Sequence, residues 1–215
     1  MQGDTYQAVW GRVFAAAYDS AFALAERRGL AATRKEVVGQ AAGRVLELGA
    51  GTGLNVNHYP DEGITELILA EPNPHMVSRL RKRVEHLSDR IVVLEATAED
   101  IPLGDSSVDS VVSTLVLCTV VDPGRTLDEI TRVLRPGGQF LFAEHVRSDS
   151  PVAAQWQDRL DGAWGWYACG CHCNRDTVSM INGTSLDVVS LRKERLRWIS
   201  PLVRPLAVGF ASNGA

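Results

Sequence analysis

The sequence predicts an α/β protein built on a doubly wound sheet of seven strands, mostly parallel. An antiparallel hairpin closes one edge, and a helical lid stands at the amino terminus. Three observations support this. From residue 44 onward, short apolar runs alternate with segments of helical periodicity. The runs are apolar throughout rather than at every second residue, as strands covered on both faces require. The first run ends in the glycine-rich turn "LELGAGTG", whose glycines at 49, 51 and 53 can pass a backbone close beneath a ligand.

Taken in order, the first 40 residues read as helix. Tyr6, Trp10, Phe14, Tyr18 and Phe22 recur every four residues and so line one stripe. That stripe suits either packing on a core or a lid over a ligand pocket. "RVLEL" (44–48) is the first strand and "ELILA" (66–70) the second. The helix that follows starts at "EPNPHM", with Asn73 as its cap and Pro74 as its first residue. Val77, Leu80, Val84 and Leu87 form its buried stripe. "IVVLEA" (91–96) and "VDSVVSTLVL" (108–117) are the third and fourth strands. "DPGRTLDEITRVLRPGG" (122–138) is a helix with Leu127, Ile130, Val133 and Leu134 inward, stopped by Pro136, Gly137 and Gly138. "QFLFAEHV" (139–146) is the fifth strand. Helices follow near 151–167 and 175–181. Then come "LDVVSLRKERL" (186–196) and "LAVGFAS" (206–212), with no helix between them, which predicts the edge hairpin.

A chain of 215 residues with 45% hydrophobic and 22% charged residues fits a single soluble domain. Residues 1–40 would form the lid, 44–145 a cofactor-binding core, and 146–215 the acceptor-side helices and edge strands. The net charge is -4, and the one basic cluster, Arg79, Arg81, Lys82 and Arg83, reads as a solvated helix face. Nucleic acid is therefore not an expected partner. No apolar run approaches the roughly 18 residues of a membrane span, and no secretory signal is seen, so a cytoplasmic location is expected. A small-molecule acceptor is the expected partner. Oligomeric state is not legible.

The glycine loop points to a ligand. It does not match G-x-G-x-x-G, and no lysine follows it as a phosphate loop would need. Glu47, two residues before the first glycine, would repel a phosphate but suits an ammonium. Glu71, at the end of the second strand, can accept from both ribose hydroxyls. A ribose-bearing molecule with an ammonium and no phosphate is implied, and S-adenosyl-L-methionine fits.

"VLELGAGTG", "EPNPHM", "ATAEDIPLGDSSVDSVVSTLVL" and "LRPGG", in that order over 44–145, resemble the sequential motifs of class I S-adenosylmethionine-dependent methyltransferases with their Rossmann-like sheet. The resemblance implies that Glu47 orients the methionine amino group, that Gly49, Gly51 and Gly53 pass under the ligand, and that Glu71 holds the ribose. It places Met76 near the adenine, Ala98 and Glu99 at its edge, and Thr114 and Leu115 beside the methionine. Tyr18 and Pro72 complete the expected cofactor contacts. Many relatives have Asp where this chain has Thr97.

The remaining segments resemble a narrower branch, the methyltransferase-like thiol S-methyltransferases and their bacterial relatives. They are "LVLCTV" (115–120), "EHVR" (144–147), Trp156, Trp164, "GCHCNRDT" (170–177) and "LVRPLAVGFA" (202–211). Gly170, Cys171, Arg175 and Asp176 match that branch's Gly-Cys and Arg-Asp/Glu signature. The resemblance implies S-methylation of a small apolar thiol, with Phe14, Cys118, Trp156, Trp164 and Cys171 at the substrate. Trp166 and Tyr167 would extend the apolar wall.

Thiolate methylation needs little more than alignment and a proton acceptor. His145, at the carboxyl end of the fifth strand, is the expected base; its alternative is a structural hydrogen bond to Glu144 or the backbone. Cys169, Cys171 and Cys173 sit in one C-x-C-x-C run with no second cluster, so no metal is expected there. Cys171 would line the pocket or serve structure, and Cys169 and Cys173 would be small apolar fillers. Three alternatives stay open: N- or C-methylation of a lipid-like or quinone acceptor, arsenite methylation by the bunched thiols, and a cofactor-binding scaffold without catalysis. The intact Glu47, glycines and Glu71 argue against the last.

Overall fold

The computed structural model describes residues 23–197 and 199–214. The aromatic stripe from Tyr6 to Phe22, including Phe14 and Tyr18, lies outside the described residues. The strands are β1 (Gly43–Leu48), β2 (Ile64–Ala70), β3 (Ile91–Leu94), β4 (Val108–Thr114), β5 (Leu134–His145), β6 (Leu186–Arg195) and β7 (Pro205–Asn213). They form one sheet in the order β3-β2-β1-β4-β5-β7-β6. β1 to β5 run parallel, while β7 is antiparallel to both β5 and β6. The expected doubly wound sheet with its hairpin is present.

Two apolar layers cover the sheet. On one face, α1 (Ala31–Val38) and α2 (Pro74–Val84) pack Val37, Val38, Leu80 and Val84 against Val45, Leu67, Leu69, Val112 and Leu141. On the other, α3 (Pro123–Val133) and α5 (Thr177–Asn182) place Leu127, Ile130, Val133 and Ile181 against Leu46, Leu48, Val111, Phe140 and Phe142. Each such side chain contributes roughly 1.5–3 kcal/mol on burial. α4 (Pro151–Tyr167) touches the core more sparingly, through Ala154 and Gln157. Among the described residues, no helix is long and apolar enough to cross a membrane.

The caps behave as composition dictates. Asn73 accepts from the amides of His75 and Met76, and Asp122 from that of Arg125, with a proline at the first position of each helix. Some boundaries differ from expectation. α3 stops at Val133 because Leu134 takes an extended conformation and pairs with Val108; the Arg135–Gly138 stretch then forms an irregularity within β5. β4 ends at Thr114, because Leu115 adopts a φ of 62° that no strand continues. Leu87 lies beyond the end of α2 and is half exposed, so the buried stripe there is Val77, Leu80 and Val84.

The sheet order reverses between β1 and β4, and ligands of such folds occupy the crevice beyond the strand carboxyl ends at that point. The segments after β1 and β2 and the end of β4 meet there.

Candidate active site

The crevice holds a small cavity lined by Arg34, Glu47, Gly49, Ala50, Gly51, Thr52, Leu54, Asn55 and Thr114. Glu47, one residue before the end of β1, is buried. Its carboxylate accepts from Asn55 Nδ2 at 2.9 Å and from Tyr59 Oη at 2.8 Å. Burial pushes its pKa up to about 7, against the opposing pull of the Tyr59 and Asn55 hydrogen bonds and the Arg34 charge. Arg34, on α1, is 4% exposed. It donates to Thr114 Oγ1 at 2.8 Å, to Asn55 Oδ1 at 3.1 Å and to Glu26 at 2.9 Å. A buried guanidinium and a buried carboxyl, bridged by Asn55 and Thr114, therefore share one small cavity. That donor set fits the two ends of an amino-acid zwitterion: Arg34 can hold a carboxylate and Glu47 an ammonium.

The three glycines of the loop do different jobs, although all have positive φ. A Cβ on Gly53 would stand 2.7 Å from Leu80 Cδ1, so this glycine lets the loop pack on α2. A Cβ on Gly51 would meet nothing nearer than 3.9 Å, the Met76 sulfur among those atoms, so here the bare backbone faces open space. Glu71, 5% exposed, accepts from the Gly51 and Asn73 amides, each at 2.9 Å. One bond to each carboxylate oxygen leaves acceptor capacity on both for ribose hydroxyls. Burial raises its pKa as well.

The other expected contacts are dispersed. Met76 is buried beneath the loop, and Ala98 belongs to the core layer under α3. The Glu99 carboxylate accepts from the amides of Val121 at 2.7 Å and Asp122 at 3.4 Å, which ties it to the start of α3. Pro72 is exposed. Thr114 joins the cavity, and Leu115 turns the chain just beyond it.

A second assembly forms at the carboxyl end of β5. His145 is 4% exposed, Cys118 1% and Cys171 8%. The Nδ1 atom of His145 lies 3.9 Å from both sulfurs, while its Nε2 is buried without a partner among the described residues. Val203 and Trp164 pack around the cysteines. The Cys118 thiol, His145 and the indole of Trp164 all favour a thiolate at Cys171, whose pKa falls to about 4 despite burial; Cys118 moves up in response. Hydrogen bonds to two backbone carbonyls pin the parts together. His172 N donates to Cys118 O at 2.7 Å, and Arg175 Nη1 to Leu117 O at 2.6 Å. Asp176 caps α5. The Arg-Asp pair of the signature thus braces this corner.

The cysteine run does not converge. Cys169 takes a φ of 50° and is part-exposed, and the Cys173 sulfur turns to Gln157 O at 3.6 Å. His172 pairs with Asp161 at 2.7 Å. Of the run, only Cys171 turns its sulfur to His145, where it joins Cys118; Cys173 packs in the same apolar cluster with its sulfur turned away. Of the aromatic wall, Trp164 lies against the cluster, while Trp156, Trp166 and Tyr167 are 52%, 63% and 60% exposed on the outer side of α4. A wider cleft lies past His145, between residues 146–150, the end of β6 and the start of β7. Neither cavity is lined by the Cys118–His145–Cys171 group.

Sequence reasoning missed Arg34, Asn55 and Tyr59. For Arg34 a signal existed: it falls on the same helical stripe as Leu30, Val37 and Val38, where a charge is out of place unless it has work to do.

Comparison with known proteins bears on this geometry. A model of the methyltransferase domain matches residues 46–142. The human protein thiol S-methyltransferase TMT1A is 37% identical over 171 residues, which is 78% of this chain and 69% of that one. A demethylmenaquinone methyltransferase from Clavibacter sepedonicus is 33% identical over 127 residues, 59% of this chain and 51% of that one. Among solved structures, a chain in the complex of the Haloferax volcanii Trm112 methyltransferase activator with a methyltransferase superposes with a TM-score of 0.72. It is 20% identical and the match covers 95% of this chain and 97% of that one, a likeness of fold alone.

Proposed function

Because the chain belongs to the class I S-adenosylmethionine-dependent methyltransferases, we propose that its methyl acceptor is the sulfur of a small apolar thiol. The observation behind this is the 37% identity to a thiol S-methyltransferase across more than three quarters of the chain. The bound S-adenosylmethionine supplies an electrophilic methyl group on a sulfonium. Arg34 and Glu47 hold its amino-acid end, Gly51 lets it lie against the loop, and Glu71 takes the ribose. Residues 44–145 serve as this cofactor core, with Arg34 reaching it from α1, and 146–215 as the acceptor side.

Methyl transfer to sulfur consumes a thiolate and is an in-line displacement. Holding the partners aligned accounts for about 7–11 kcal/mol of such a barrier. The thiol itself, with a pKa near 8.5, needs only a modest proton acceptor. His145 is our assignment: Nδ1 is oriented by two sulfurs, and Nε2 has no competing partner. With Nδ1 carrying the ring hydrogen toward sulfur, Nε2 is left as the basic nitrogen.

A second reading is methylation of a quinol carbon, which the identity to the demethylmenaquinone enzyme favours. The test is a panel of alkyl thiols, aryl thiols, reduced quinones, catechols, amines and arsenite, each with methyl-labelled cofactor. Label transferred to thiols with the highest kcat/KM supports our reading. Transfer to quinols with none to thiols replaces it with the second.

A further inference from the structure

We propose that Cys118, His145 and Cys171 form a binding site for one thiophilic metal ion, zinc being the ion that this ligand set suits. The three come from separate elements: the loop after β4, the end of β5 and the loop after α4. Their ligand atoms nevertheless lie within 4.8 Å of one another, with both sulfurs 3.9 Å from Nδ1. A tetrahedral zinc with bonds of about 2.3 Å to sulfur and about 2.0 Å to nitrogen sets its ligand atoms about 3.5–3.8 Å apart. Closing the present triangle onto an ion needs shifts of tenths of an ångström for the nitrogen–sulfur edges and up to about 1 Å for the sulfur pair.

Charge favours the same reading. Two thiolates and a neutral imidazole around a divalent cation sum to zero, and a neutral assembly is what an apolar shell of Val203, Trp164, Ile199 and Leu202 tolerates. Two sulfur donors with one imidazole select soft or borderline ions over magnesium or calcium. The indole N–H of Trp164, which already favours the Cys171 thiolate, can go on donating to that sulfur when a metal binds it. On binding, two sulfur–metal bonds and one nitrogen–metal bond form, and any proton remaining on either thiol goes to solvent.

The site differs from the one that the C-x-C-x-C run suggests. Cys169, Cys173 and His172 take no part. The ion is given no part in holding the acceptor. Coordination at Nδ1 instead places the ring hydrogen on Nε2. A filled site therefore removes His145 as a proton acceptor and lowers thiol methylation. That consequence, unlike the binding, rests on the thiol reading above.

The experiment is zinc titration of the metal-stripped full-length protein, read by elemental analysis after equilibrium dialysis. Cobalt substitution, read by thiolate-to-metal absorption in the near ultraviolet, runs beside it. We expect one equivalent of zinc and a cobalt spectrum with thiolate charge transfer. Cys171→Ser, Cys118→Ser and His145→Gln should each weaken zinc binding by about 100-fold or more, at or beyond the upper end for supporting residues. The Cys169→Ser/Cys173→Ser double variant should bind as the parent does. No stoichiometric zinc overturns the proposal, as does binding lost only in the double variant. Should a cysteine variant fail to fold by circular dichroism, the parent's cobalt spectrum still decides, since a spectrum without thiolate absorption excludes the site. With thiol acceptor present, one equivalent of zinc should depress turnover and a chelator should restore it, with S-adenosylhomocysteine affinity unchanged. Zinc that binds but leaves thiol turnover intact refutes the inhibitory role while the site stands. Absence of thiol turnover at every metal level counts against the acceptor assignment alone.

Discussion

At the carboxyl end of β1 a buried carboxyl is held by an amide, a phenol and a nearby guanidinium; at the carboxyl end of β5 a buried imidazole is held by two sulfurs. The first region is wired by hydrogen bonds of 2.8–3.1 Å among Arg34, Glu47, Asn55, Tyr59 and Thr114, around an open cavity. The second is positioned by apolar packing and loop amides, and its polar atoms sit 3.9 Å apart with one nitrogen unpaired. Rigid hydrogen bonding suits a ligand with fixed charges at both ends. Loose polar contacts in an apolar shell suit soft sulfur chemistry, where polarisable atoms need proximity more than direction.

The comparison breaks most visibly at Arg34. Arg34→Met removes the only positive charge that lines the first cavity among the described residues, and each charge-assisted bond lost costs about 1.5–3 kcal/mol. S-adenosylhomocysteine affinity by calorimetry should fall about 100-fold, while acceptor KM at saturating cofactor stays put. Unchanged affinity would mean that the guanidinium only braces Asn55 and Thr114.

Next in size is the pH dependence of Glu47. Burial raises its folded pKa to about 7, so below that pH it is a neutral acid and a poor ammonium partner. Cofactor affinity should therefore drop about tenfold per unit below pH 7 and level off above it. Glu47→Gln should flatten the profile. The sign for stability is opposite. A raised folded pKa contributes stability that is present below the unfolded value of 4.5 and lost as pH rises through 7. The ligand-free melting temperature should fall across that window, and bound ligand should offset the loss.

The second region gives smaller effects. His145→Ala should slow alkyl-thiol turnover about 10- to 100-fold at acidic pH, the low end for general bases, because thiols ionise readily themselves. Alkaline pH should recover much of it, and a low-pKa aryl thiol should suffer less. Equal losses for both thiols at every pH would make His145 structural. Smallest of all, Trp156→Ala on the exposed side of α4 should change stability by less than about 0.5 kcal/mol and leave turnover intact.

The two regions also differ in how much of them could be read from residues alone. The sheet, its order of elements and the hairpin were legible, because apolar runs and caps such as Asn73–Pro74 are local signals. Glu47, the glycines and Glu71 were legible for the same reason: a short spacing along one strand–loop unit fixes their register. The division of labour among the glycines was not, since it depends on Leu80 arriving from α2. The Cys118–Cys171 approach spans 53 positions and depends on how two loops fold over β5, which no periodicity encodes. The visible cluster of thiols at 169, 171 and 173 was a poor guide, because neighbours in an irregular loop need not face one another. Which of the tryptophans turns inward was not legible either, since only the seating of α4 decides it.

The most direct test of the account uses one acceptor that offers both chemistries, an aromatic ring bearing a thiol and a phenolic hydroxyl. Turnover with methyl-labelled cofactor, followed by product mass and carbon NMR, locates the transferred group. The account predicts the S-methyl product alone, formed at a rate that falls in His145→Ala at pH 6 and recovers as pH rises. Label on oxygen or on ring carbon, with the thiol untouched, would contradict it.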